Sequence, residues 1–134
     1  MNIDLSSLER AIASLEIAIG RSTETPDDEL IRDGVIQRFE YTFELCIKML
    51  KRILENMSTI SCEIDSYSYQ QILREAAEKG IMTDLESWIL YRHQRNITSH
   101  TYNSEKAISV YQTSLVFIHS AKLLFEHLKK CNHD

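Results

Sequence analysis

The stretch from Asp28 to Met57, DELIRDGVIQRFEYTFELCIKMLKRILENM, decides the fold. Within it Ile36, Phe39, Phe43, Ile47, Leu50 and Leu54 recur at helical spacing and form one apolar stripe, with Val35, Cys46 and Ile53 beside it. An unbroken helix over this range is about 45 Å long at 1.5 Å per residue. That outlasts most single-domain cores, so part of it is expected to pack on a partner. Gly34 offers a place for a bend or a close neighbour. The preceding Thr25-Pro26-Asp27-Asp28 reads as a helix start, with Pro in the first turn and acids complementing the helix dipole.

Outward from this helix the pattern stays helical. Leu5, Leu8, Ile12, Leu15 and Ile19 mark a first helix from about Ser6 to Gly20, followed by a polar connection from Arg21 to Asp28. On the other side, Ser58 to Tyr67 reads as a loop. Ser68-x-x-Gln71 resembles a capping box that opens a shorter helix through Ile72, Leu73, Ala76 and Ala77, and Gly80 ends it. Thr83-Asp84-Leu85-Glu86 reads as a second capping box, opening a helix with Leu85, Trp88, Ile89 and Arg92 on adjoining turns. A last helix runs from about Ser104 to Lys130, with Ala107, Ile108, Tyr111, Leu115, Ile118, Leu123 and Leu124 as its stripe. With 3 Gly, 1 Pro and no alternating strand, the 134 residues predict an all-α fold. The expected architecture is an antiparallel, up-and-down bundle of four or five helices in a single domain over residues 1–134.

Charge and cysteine usage narrow the function. The formal net charge is −5, whereas a broad nucleic-acid surface would be basic, so any such contact must be local or built from two chains. Arg92, His93, Arg95, His100 and Lys106 form the obvious local basic patch. Cys46, Cys62 and Cys131 show no CxxC spacing, which fits a reduced, cytoplasmic setting better than a disulfide framework or a zinc site. No apolar run approaches a bilayer span, so no membrane contact is expected. The glycosylation-like triplets at Asn56-Met57-Ser58 and Asn96-Ile97-Thr98 read as chance in that setting.

The chemistry concentrates in Arg95-Asn96-Ile97-Thr98-Ser99-His100-Thr101-Tyr102. Arginine holds phosphate through a rigid two-pronged donor set, and histidine moves a proton near neutral pH. On an unbroken helix Arg95 and His100 lie roughly 140° apart and share no face. For them to act together the helix must break between them, and Thr98 and Ser99 compete for the backbone hydrogen bonds there. In an extended stretch His100 and Tyr102 would then point the same way. These residues suit cleavage of an RNA phosphodiester by its own 2′-hydroxyl. His100 would be general acid or base, Arg95 would stabilise charge on the phosphate, and Asn96 would orient one of the two or contact the phosphate. No metal or cofactor is demanded.

Structural readings stand beside these. An Arg and a His at a helix end also cap carbonyls and meet the dipole, and spacing alone favours that reading. Glu40, at the rim of the apolar stripe, needs a partner if buried; Arg95 or Arg92 would serve, either to orient a site or as a structural ion pair. Trp88 and Tyr91 offer a stacking platform for a base, though core packing is the more economical reading. His93, His119, His127 and His133 show no ligand spacing and read as surface or packing residues.

Arg95-x4-His100-x-Tyr102 resembles the signature of HEPN-domain proteins, the HepT-like group in particular. Arg32 to Leu45 is similar to that group's long-helix segment, and Ile72-Leu73-Arg74-Glu75-Ala76 and Trp88-x6-Arg95-Asn96 also fit. The resemblance covers about residue 5 to residue 128. It implies an all-helical homodimer in which two copies of the motif line a cleft at the two-fold axis, gathering four basic side chains from a net-acidic chain. It also implies a partner, a minimal nucleotidyltransferase encoded alongside. On one reading the helical protein is that enzyme's substrate- or nucleotide-binding subunit. On the other it is the metal-independent ribonuclease toxin of a toxin–antitoxin pair, silenced when the nucleotidyltransferase attaches AMP to the motif tyrosine, here Tyr102. A helical dimerisation module with no site is a third, plainer reading.

Overall fold

The computed structural model describes residues 2–57 and 61–132, with backbone alone for residues 61 and 62. The elements in order are α1 (Ser6–Glu24), α2 (Glu29–Met57), α3 (Ser61–Asp65), α4 (Tyr69–Glu78), α5 (Leu85–Ile97), a 3-10 turn (Thr98–His100) and α6 (Ser104–Cys131). No strand occurs among the described residues. Ser58 to Ile60, expected as loop, and His133, expected at the surface or in packing, lie outside the described residues, as do Ser58 of the first glycosylation-like triplet and the Cys62 side chain.

Cross-helix contacts establish the directions. Thr42 donates to the Ala11 carbonyl and Arg38 to the Ser14 carbonyl, so α1 and α2 run antiparallel. Asn132 bonds Ile3 at one end of α1, and Tyr111 meets Ser22 at the other, so α6 is antiparallel to α1. Arg95 and Thr98 meet Glu44 and Glu40 of α2, while Tyr91 meets Ser120 and Gln94 donates to Ser109 of α6, so α5 is antiparallel to both. The result is the expected up-down-up-down bundle of α1, α2, α5 and α6, with α3 and α4 inserted in the connection between α2 and α5.

The long helix α2 is central, packing against α1, α3, α4, α5 and α6. Its buried positions run from Val35 to Leu54, so the chain itself uses that length, and it is the first turn, with Leu30 84% exposed, that projects. Gly34 neither interrupts the helix nor admits a neighbour: a Cβ there would meet nothing within 4 Å. The core centres on Phe117 of α6, whose ring meets Phe39, Phe43, Trp88 and Tyr91 with centroids 5.0–6.3 Å apart. Trp88 and Tyr91 are buried there, which removes the base-stacking reading.

Several boundaries differ from expectation. α1 continues past Gly20 because Ser22 is buried and its hydroxyl is satisfied by the Ile19 carbonyl and the Tyr111 hydroxyl. Part of the expected loop is the short α3, docked by buried Ile64 and by Lys51 pairing with Asp65 at 3.3 Å. One anchored side chain leaves too little periodicity to read. The Ser68–Gln71 capping box forms as expected. Gly80 follows the end of α4 at φ 73°, where Gly80 and Ile81 donate back to Ala77 and Ala76, a left-handed cap that suits glycine. The second box shifts by one residue. Asp84, not Thr83, caps α5, accepting from Ser87 N–H and the Ser87 hydroxyl while adopting φ 58°.

The stripe of α6 holds at Ala107, Ile118 and Leu124 but is rotated elsewhere. Val110, Ser114, Phe117, Ala121, Leu124 and Leu128 face inward, while Ile108 and Leu123 are about half exposed, at 47% and 49%. Small residues at 114 and 121 let neighbouring helices approach, and the Ser114 hydroxyl hides its polarity on the Val110 carbonyl. Reading by apolar side chain alone misses such positions.

Candidate functional site

The site forms where the open ends of α5 and α6 meet the N-terminal half of α2. α5 ends at Ile97, between Arg95 and His100, and the chain tightens into the 3-10 turn. Thr98 is the cause. Its N–H donates to the Arg95 carbonyl in the three-residue pattern, and its hydroxyl, 2.8 Å from that carbonyl, gives its one proton to Glu40 Oε2 at 2.6 Å. The return into α6 is fixed as well. Asn103 N–H donates to the His100 carbonyl, and the Asn103 side chain caps α6 by accepting from Glu105 N–H and Lys106 N–H. The segment is thus exposed but held at both ends.

Arg95 lies across from Glu44. Its Nε donates to Glu44 Oε1 at 2.8 Å, and Nη2 donates to the same oxygen. The carboxylate therefore grips one edge of the guanidinium and leaves the Nη1 edge open. Both side chains are partly exposed, Arg95 37% and Glu44 51%, so the pair contributes on the order of 0.2–1 kcal/mol to stability. Its consequence is geometric: one rotamer of Arg95 is selected from many.

The expected partner of Glu40 was Arg95 or Arg92; the structure gives it Thr98 instead. Arg92 stacks over the Tyr69 ring at 4.6 Å. The reason is stagger. On antiparallel helices Glu40 and Glu44, one turn apart on α2, meet Thr98 and Arg95, about one turn apart on α5, as two rungs. Sequence reasoning missed Glu44 as the partner of Arg95, and placed Thr98 at the helix break without its pairing to Glu40. The visible signal was the pair of acids four residues apart on the rim of the α2 stripe.

His100 is exposed at the end of the 3-10 turn, and Asn96 is exposed on the last turn of α5. His100 and Tyr102 lie on a turn rather than an extended stretch, with Thr101 at φ −77°, ψ 0°. Their rings still meet, edge to face, with centroids 6.1 Å apart at 73°. Tyr102 is 85% exposed.

Among the described residues, the remaining histidines do not join this site. His119 and His127 flank a separate cleft of about 230 Å³ with Ile81, Met82 and Asp84. His127 Nδ1 lies 2.7 Å from the Ile81 carbonyl, which requires the proton on Nδ1. His93 is exposed on α5. Among the described residues, no three His, Cys, Asp or Glu side chains gather as a metal site would require. Among the described residues, no helix is long and apolar enough to cross a membrane.

Comparison with known proteins extends the picture. A family profile described as nucleotidyltransferase substrate binding protein like matches residues 3–130. The chain is 36% identical over 138 residues to the probable ribonuclease HepT of Haemophilus influenzae, covering 97% of this chain and 94% of that protein. A solved Haemophilus influenzae structure, described as revealing the fold of a substrate binding domain of a nucleotidyltransferase, aligns with a TM-score of 0.88 at 35% identity, over 94% of this chain and 99% of that one.

Proposed function

Because the chain belongs to the nucleotidyltransferase substrate-binding protein family, in its HepT-like group, we propose that it is a HEPN-type ribonuclease acting as a homodimer. The observation that carries this reading is the end of α5 between Arg95 and His100, which leaves both side chains open to solvent at one end of the bundle, with Arg95 held by Glu44. The similarity to a probable ribonuclease of this type supports it.

In the proposed reaction an RNA phosphodiester lies on the open edge of Arg95. The 2′-oxygen attacks phosphorus, and the bond from phosphorus to the 5′-oxygen breaks, giving a cyclic phosphate and a free 5′-hydroxyl. His100 either accepts the 2′-hydroxyl proton or donates one to the leaving 5′-oxygen, solvent water carries the other proton, and Arg95 stabilises the charge growing on the phosphate. Asn96 supports the phosphate, and Glu40 supports the turn through Thr98. No step calls on a metal ion. A second copy across a two-fold axis brings four basic side chains to one cleft, which reconciles RNA binding with a net charge of −5.

A partner nucleotidyltransferase serves as antitoxin. It transfers AMP from ATP to the Tyr102 hydroxyl, forming the tyrosine–phosphorus bond and releasing pyrophosphate. The added negative charge beside His100 repels RNA phosphate. The exposure of Tyr102 and its contact with the His100 ring support this role.

The family description and the solved relative's own description favour a second reading, a non-catalytic subunit that presents a nucleotide to the nucleotidyltransferase with Arg95 as phosphate clamp. One experiment separates the two. Purified protein in chelator is expected to cleave RNA, and His100→Ala to lose roughly 10²–10⁴-fold. Nucleotide binding without cleavage by the unmutated protein selects the second reading.

A further inference from the structure

Arg92 sits three residues before Arg95 on α5, and such residues are neighbours on one helix face, about 5–6 Å apart at Cβ. It is exposed, and its guanidinium lies 4.6 Å from the centroid of the Tyr69 ring. That ring is a fixed platform. The Tyr69 hydroxyl donates to the Trp88 carbonyl at 2.8 Å, and the ring leans on Phe43 with centroids 6.1 Å apart. Burial pushes the hydroxyl well above its ordinary range despite the adjacent Arg92 charge, so the platform stays neutral.

The guanidinium carbon lies over the ring's π face, so this contact takes no oxygen acceptor and leaves the hydrogen-bond donors uncommitted. Other arginines are committed differently: Arg32 to Asp33, Arg38 to the Ser14 carbonyl, Arg95 to Glu44. Among the described residues, no carboxylate or carbonyl takes the donors of Arg92. A guanidinium anchored over a fixed ring, with its donors unspent on oxygen acceptors, is suited to phosphate binding at low ordering cost. Arg95 is held by one edge with the other open, so two pre-oriented guanidiniums stand one turn apart on the same helix face.

We propose that Arg92 forms a second phosphate subsite, which binds the RNA backbone phosphate next to the one being cleaved. The proposal rests on the ribonuclease reading and deepens it. The substrate is then a strand with at least two consecutive phosphates, engaged along α5 in the direction from His100 towards α4.

Two substrates test it: a dinucleoside monophosphate with one phosphodiester, and the same dinucleotide extended by one nucleotide at either end. The unmutated protein is expected to prefer one extended substrate at least tenfold in kcat/KM. Arg92→Gln is expected to lose at least tenfold more on that substrate than on the dinucleotide. Arg92→Lys, which keeps charge but loses the planar fork, is expected to recover part of the difference. Binding of an RNA oligonucleotide by His100→Ala, with and without Arg92→Gln, provides a readout that needs no turnover. The slope of log affinity against log salt is expected to fall by about 0.7 when the single-strand phosphate contact is lost. Equal losses on short and extended substrates, or an unchanged salt slope, overturn the subsite while leaving cleavage by Arg95 and His100 standing. Failure of the unmutated protein to bind or cleave RNA overturns both.

Discussion

Replacing Glu44 by glutamine separates two roles that a carboxylate beside a catalytic arginine can have. As a positioning group, Glu44 holds one edge of Arg95 so that the other meets phosphate. As a competitor, it occupies a guanidinium that phosphate must win. Glutamine keeps the shape and one acceptor oxygen but removes the charge. A charge-assisted hydrogen bond is about twice as strong as a neutral one, so the restraint on Arg95 weakens by about 1 kcal/mol. If that restraint matters chiefly in the transition state, kcat falls roughly fivefold to tenfold. The opposing effect is lost repulsion. A phosphate on the open edge sits about 7 Å from the Glu44 carboxylate, worth roughly 0.6 kcal/mol in a water-like dielectric and up to about threefold in KM. The expected signature is therefore lower kcat with unchanged or lower KM, measured by steady-state cleavage of a short RNA. In Arg95→Ala background, Glu44→Gln should cause little further loss, because its effect passes through Arg95. Since the pair is 37% and 51% exposed, the unfolding free energy measured in urea should change by no more than about 1 kcal/mol. A kcat that holds or rises would refute positioning and make Glu44 a competitor alone.

Two further predictions concern the scaffold. Phe117 is fully buried at the centre of the aromatic cluster, so Phe117→Ala should cost about 3–5 kcal/mol and lower the thermal midpoint by roughly 10–20 °C; calorimetry showing a drop of only a few degrees would mean the core is not centred there. Cys46 is buried on α2, and desolvation pushes its thiol far above the ordinary range, so a thiol reagent at neutral pH should label it only at the rate of global unfolding; mass mapping that finds Cys46 labelled rapidly in native buffer would contradict its placement.

Much of this protein is legible along the chain because its signals are local. The 3.6-residue period of Ile36, Phe39, Phe43, Leu50 and Leu54 needs no knowledge of a neighbour. Ser68 and Gln71 cap one another within a single turn, and Gly80 supplies the left-handed residue that ends α4. The break between Arg95 and His100 is also expected from Thr98 and Ser99, though the Thr98 hydroxyl finds its acceptor on Glu40 of α2. Less legible are features that trade local preference against packing. Thr83 looked as good a cap as Asp84, and the choice went to the residue whose carboxylate reaches both donors of Ser87. Gly20 looked like an end, yet α1 ran on because Ser22 found a partner on α6.

The sequence by itself determined the helices, most of their ends and the short segment in which Arg95, His100 and Tyr102 fall together. Tertiary structure decided which acids serve them. Glu44 is 51 residues from Arg95, and Glu40 is 58 from Thr98. Either acid satisfies the pattern on α2 equally well; only the stagger of α5 against α2 selects one for each partner. The same holds for α6, whose inward face is set by three neighbouring helices at once and so favours Ser114 and Ala121 over the bulkier Ile108 and Leu123. Periodicity is a property of one helix, whereas register and rotation arise from the fit between helices, and that fit exists only once the core has packed.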